Sequence, residues 1–234
     1  MPSKISSQNW TFLSHPYSKT SLPLGTLVHS TSTPDSSYLI AIAPKSDLES
    51  FRRDDPEIME HGISHIPSSL KPHIASVFLG QDAVTDIVGK KLEMKAHHGF
   101  IYQLWSPSAW FVREAEKVEV RRWLEDGWRE RKRTWMVVGL KTLVDADLVT
   151  GRSDFRDKVQ GDNEEEQEEW EFPGERIYAI RYARVDMRFF ESWECAPVRG
   201  TRWESHSSVL GGEGELEIVE AYLEEVEEAF ADGH

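Results

Sequence analysis

Two adjacent histidines, His97 and His98, end a segment from Lys91 that alternates apolar and polar residues. Imidazole changes charge near neutral pH, so either ring suits general acid–base work. Neighbouring side chains on a strand point to opposite faces, so the two cannot chelate one ion together. A second constellation lies in Arg176 to Phe190, where Arg181 and Asp186 interrupt a run of apolar and aromatic residues. A buried guanidinium is costly alone, so Arg181 needs a carboxylate or an anionic ligand. Trp105, Trp135, Tyr178 and Tyr182 supply rings around the same segments. Together these residues compose a candidate pocket. His97, His98 and Arg181 are its catalytic candidates, and Trp105, Trp135, Tyr178, Tyr182 and Asp186 its substrate-binding candidates. Rings give contact area with little rotational freedom to lose, which suits holding an apolar ligand. Core packing explains the same rings, and both readings stay open.

Other chemistry finds less support. His61 and His65 are four apart, but Gly62 between them reads as a helix end, which deprives the spacing of meaning. Cys195, the single cysteine, has no neighbouring cation to activate it and no partner for a disulfide. There is no glycine-rich phosphate loop, nucleotide fingerprint, nucleophile elbow or paired Cys-x-x-Cys. No metal site and no cofactor is implied.

The elements that would position these groups form an α+β domain with a mostly antiparallel sheet. Residues 1–36, rich in Ser, Thr and Pro, read as an irregular arm with apolar anchors such as Trp10, Phe12, Leu22, Leu24, Leu27 and Val28. Tyr38 to Ala43 reads as a short strand, and Ser46 with Glu49 as a capping box. Pro56 to Gly62 reads as a short helix and Ile74 to Leu79 as the first sheet strand. Lys91–Trp105, Thr134–Val144 and Arg176–Phe190 are the principal strands, with a helix over 108–126 that stops at Gly127. Residues 150–174 read as a polar loop. Leu216, Val219, Leu223, Val226 and Phe230 recur at helical spacing, so 211–234 reads as an acidic helix docked by an apolar seam, separate from a 1–210 core.

The 234 residues suffice for one large core, and nine tryptophans argue for a folded chain. The net charge of −14 is concentrated. Asp162 to Glu171 holds seven acids and no base, and Glu213 to Asp232 holds nine acids and no base. Setting these aside leaves the remainder near neutrality, so nucleic acid is not an expected partner, since phosphate binding needs a basic footprint. Anionic membranes should repel both runs. Met1 to Trp10 lacks the apolar run of a secretory signal, and the cytoplasm is the expected location. Self-association through a helix at 215–230 is a further expectation.

Lys91 to Trp105, Pro107 to Gly127, Trp135-Met136-Val137-Val138-Gly139-Leu140-Lys141 and Gly174 to Tyr182 stand in an order that resembles a group of uncharacterised fungal proteins. That order is in turn similar to the gasdermin pore-forming domain. The resemblance covers under half the chain and implies a gasdermin-like sheet with a connecting helix. The acidic 145–174 segment departs from the lipid-inserting hairpins of that family, because acids facing lipid cost roughly 2–3 kcal/mol each. Three functions follow. One is binding of an apolar or aromatic small molecule, extending to a cofactor-independent cyclase or isomerase of fungal secondary metabolism. The others are a gasdermin-like membrane or cell-death module and a protein-interaction module.

Overall fold

Two long strands carry the architecture. The computed structural model describes residues 10–39, 58–63, 66, 70–80, 91–151, 169–190, 198–205 and 217–224. Within these, β1 spans Trp10–Ser18, β2 Leu27–Val28, β3 Tyr38–Leu39, β4 Ile58–Ile63 and β5 Lys91–Leu104. β6 spans Thr134–Gly151, β7 Glu169–Phe190, β8 Thr201–Ser205 and β9 Glu217–Leu223. Helices α1 (Lys71–Leu79), α2 (Pro107–Glu114) and α3 (Val118–Arg129) complete the described elements. The fold is α+β, and every described strand pair is antiparallel.

The sheet branches around the β6–β7 pair. The free side of β6 takes β2 at Trp135 and Met136 and β5 from Gly139 to Gly151. The free side of β7 takes β1 from Arg176 to Arg181 and β9 from Val185 to Phe190. β4 and β8 lie outside β5 and β9. Side chains at the centre, including Met136, Leu140, Leu143, Ile177 and Ile180, are fully buried. Both faces are covered over residues 136–140 of β6 and 177–180 of β7, where the sequence is continuously apolar apart from Gly139. The three principal strands thus share one sheet, as the alternation predicts.

Several expectations are corrected. The arm holds β1 and β2, because β7 leaves an unpaired edge that Trp10–Phe12 and Tyr17–Ser18 fill across a register shift. Ile58–Ile63 is a strand on β5 rather than a helix ended by Gly62. Residues 74–79 are helical: Pro72 sits in the first turn, and Ile74, Ala75, Val77 and Phe78 bury one face. The 108–126 helix is two helices, broken between Glu114 and Val118. Gly127 lies inside α3, whose end is instead set by left-handed Arg131 (φ 56°) and by Lys132 N–H donating to the Gly127 carbonyl. The 150–174 loop is shorter than expected, since Val144 to Val149 pairs with Glu169 to Glu175.

The C-terminal helix is likewise corrected. Residues 217–223 are strand β9, inserted between β7 and β8. Leu216, Val219 and Leu223 fit helical spacing, but Ile218, Val219, Ala221 and Leu223 are all buried in the strand. The buried acid Glu220 is accommodated by Arg202, whose Nε donates to its Oε1 at 3.1 Å. The proposed self-association surface is therefore, over 217–223, internal to the sheet. Residues 225–230 lie outside the described residues, as do the 46–49 capping box, His65 and Cys195. No helix among the described residues is long and apolar enough to cross a membrane.

Candidate functional site

A polar tie fixes the middle of β5, β6 and β7. Glu175 accepts hydrogen bonds on Oε1 from Tyr102 Oη at 2.8 Å and Thr142 Oγ1 at 2.7 Å. Its Oε2 meets Lys19 Nζ at 3.1 Å, and that ammonium lies 3.7 Å from the Tyr102 ring centroid. Tyr102 and Thr142 are buried, so the carboxylate satisfies two hydroxyls that water does not reach.

Beyond this tie, β4 stops pairing with β5 at Gly99, opposite Ile63. The edge of β5 from Met94 to His98 continues past it, paired on its other side with β6. A recess of about 380 Å³ opens there, between the end of β4, the start of α1 and the sheet. Ile63, Ile66, Met94, Ala96 and Leu143 supply its apolar lining. Lys71, Lys95, His97 and His98 supply four basic side chains, and among the described residues no carboxylate lines it. His97 and His98 are exposed, with ring centroids 6.4 Å apart and planes at 58°. This splay agrees with opposite-facing neighbours on a strand and does not form a joint chelate. Among the described residues, no three His, Cys, Asp or Glu side chains group as metal ligands.

The aromatic candidates lie elsewhere, and none lines this recess. Trp105 follows the last residue of β5 and is 56% exposed. Trp135 is half-buried on β6, opposite Val28 and Arg184. Tyr178 is buried near Phe12, and burial pushes its hydroxyl up to about 12. Tyr182 donates to the Thr31 carbonyl at 3.4 Å, and burial raises its pKa. Asp186 is engaged by Arg184 at 3.1 Å. Arg181 is half-buried, and burial lowers its pKa. The structure thus brings together His97 and His98 with two lysines, and disperses the rings.

Sequence reasoning missed His29. Its ring stacks on Trp123 with centroids 3.9 Å apart and planes within 1°, and Thr134 Oγ1 lies 3.3 Å from Nδ1. Gly127 permits this approach, since a Cβ there would stand 2.3 Å from His29 Cε1. Burial is the main cause that lowers the His29 pKa below the ordinary histidine value. Helix α3 is held at its other side by Glu125, which accepts from Trp203 Nε1 at 2.6 Å and Ser205 Oγ at 2.9 Å. The 94-residue separation of His29 and Trp123 leaves no local sequence signal for the stack. Lys71, Ile63 and Ile66 were also missed as recess residues, because they precede β5 by many residues and fall outside the strands and helices legible in the sequence.

No family model matches this chain, and no curated protein matches it.

Proposed function

We propose that the protein binds a small amphipathic molecule, with an apolar or aromatic body and an anionic group, in the recess beside β5. The observation that carries this reading is the composition of the recess of about 380 Å³: an apolar lining, four basic side chains and, among the described residues, no carboxylate. Ligand pockets combine such an apolar surface with a few polar groups that fix orientation. Lys71 and Lys95 would attract the anionic group, and Ile63, Met94 and Leu143 would contact the body. Proton transfer, as a cofactor-independent isomerase or cyclase requires, would fall to His97 or His98. This relocates the ligand from the dispersed rings to the histidines that the same hypothesis named.

The test uses 8-anilinonaphthalene-1-sulfonate, an aromatic sulfonate that fluoresces when shielded from water, against the neutral N-phenyl-1-naphthylamine. The native protein should bind the sulfonate saturably and more tightly than the neutral dye. Ala96→Trp, which fills the recess, should abolish binding while leaving the melting transition in place. Paired Lys71→Met and Lys95→Met should remove the preference for the sulfonate. Sulfonate binding that survives Ala96→Trp unchanged would refute the assignment.

A further inference from the structure

Past Ile63, the outer edge of β5 has no strand beside it among the described residues. β4 pairs with β5 from Ile58 opposite Leu104 to Ile63 opposite Gly99 and goes no further. β6 pairs with the other side of β5 as far as Lys91. Ile66 lines the recess but lies outside β4. Met94 to His98 are therefore paired on one side only and border the recess for about 13 Å, at 3.3 Å per residue. In an antiparallel sheet, every second residue of such an edge turns its N–H and C=O outward. Those groups are a template for one more strand.

The side chains around the edge decide which strand fits. Met94, Ala96 and His98 project to one face, and Lys95 and His97 to the other. Ile63 and Leu143 both stand opposite Gly99, which puts them on the Lys95 face. Each face thus offers an apolar patch and at least one basic group. Lys71, the first residue of α1, adds a further base. Asp147 lies opposite Lys95 on β6, one strand inward from the edge. Among the described residues, the rim that an added strand touches carries bases and no carboxylate. A second copy of the same edge would set lysine and histidine against lysine and histidine, and like charges directly opposed are unfavourable. An acidic strand is the complement.

We infer that β5 accepts an acidic peptide as an added strand along Met94 to His98. The inference rests on the reading that the recess takes a ligand with an apolar body and an anionic group. It names the class of that ligand: an extended peptide with apolar residues among glutamates or aspartates. Main-chain hydrogen bonds to β5 would supply affinity, and side-chain contacts would supply selectivity. Lys71, Lys95 and the two histidines would select the acids. Met94 and Ala96 on one face, and Ile63 and Leu143 on the other, would cover the apolar side chains.

The probe is the peptide acetyl-Glu-Val-Glu-Glu-Val-Glu-amide, titrated calorimetrically into the full chain. It should bind saturably, and the same peptide with lysine for every glutamate should bind roughly tenfold more weakly or not at all. N-methylation of every peptide bond removes the donors and keeps the side chains. It should weaken binding roughly hundredfold, as expected for about three lost backbone hydrogen bonds. Lys71→Glu combined with Lys95→Glu should exchange the preference, so that the lysine peptide binds more tightly. Hydrogen exchange supplies a readout that needs no substitution. The outward amides of residues 94–98 should exchange fast in the free chain and slowly with the acidic peptide bound. Equal binding of the N-methylated peptide, or an unchanged preference in the double variant, would overturn the inference. So would outward amides already protected in the free chain, because another segment or a second copy would then fill the edge. Sulfonate dye bound in the recess with no peptide bound would overturn this inference alone. Failure of both ligands would overturn the reading beneath it as well.

Discussion

Replacing Glu175 by alanine tests whether one carboxylate ties the three longest strands together. The change strands two buried hydroxyls, Tyr102 at 7% exposure and Thr142 at 0%. An unsatisfied buried polar group costs about 1–3 kcal/mol, so the pair contributes about 2–6 kcal/mol. The Lys19 ion pair is partly exposed and adds at most about 1 kcal/mol. A loss near 4 kcal/mol is expected, which in a chain of this size lowers the melting temperature by roughly 8–16 °C. Glu175→Gln keeps an acceptor in place and should cost only about 1 kcal/mol. The assay is urea unfolding followed by tryptophan fluorescence. Thr142→Val in both backgrounds closes a double-mutant cycle, with a coupling of about 1–2 kcal/mol expected. A loss below about 1 kcal/mol for the alanine variant, or equal losses for alanine and glutamine, would show that the tie does not hold the strands.

Four further outcomes are expected. Gly127→Ala should cost about 1–3 kcal/mol, because its methyl group meets the His29 ring, and His29→Ala in the same chain should recover part of the loss. The His29 pKa is lower folded than unfolded, so the unfolded chain binds the extra proton. Its contribution is fully present above about pH 6.5 and declines as pH falls from there towards the folded pKa. A His29→Gln variant should lose that component of the stability–pH curve, and curves of equal slope below pH 6.5 would contradict the assignment. Glu220→Ala should cost about 3–5 kcal/mol in chemical unfolding, since it deprives the buried Arg202 of its carboxylate. Finally, anionic liposomes should retain their dye in the presence of the full chain and of a chain ending at Glu224. Cutting at residue 211 would remove β9 and test stability instead.

The strands most visible in the sequence are those whose environment repeats along the chain. Trp135 to Val138 is apolar on consecutive positions because both faces of β6 are covered there, whereas Arg176 to Phe190 was legible by alternation, with Ile177, Ala179, Ala183 and Val185 buried on one face. β9 was not, because Val219 and Leu223 continue a helical spacing with Leu216, Val226 and Phe230, while the strand itself is buried on both faces. The acid that seemed to mark a solvated helix face, Glu220, is fully buried against an arginine 18 positions earlier. β1 was hidden by Ser14, His15 and Pro16, which fall where its register against β7 shifts. Chemistry followed the same division. His97 and His98 could be singled out by residue type, whereas their companions in the recess depend on where β4 ends and α1 begins.

The branching of the sheet around β6 and β7 has a consequence for synthesis. β1 leaves the ribosome well before its partner residues on β7, which run from Arg176 to Arg181. At roughly 5–20 residues per second, the nascent chain carries Trp10 to Ser18 without that partner for roughly 8–30 seconds. β2 waits in the same way for Trp135 and Met136. Leu13, Tyr17, Leu27 and Val28, all buried in the finished protein, stay uncovered during this interval. The polar Ser and Thr residues threaded through 14–37 dilute those apolar positions. Their value therefore lies as much in keeping the growing chain from sticking to its neighbours as in the finished fold.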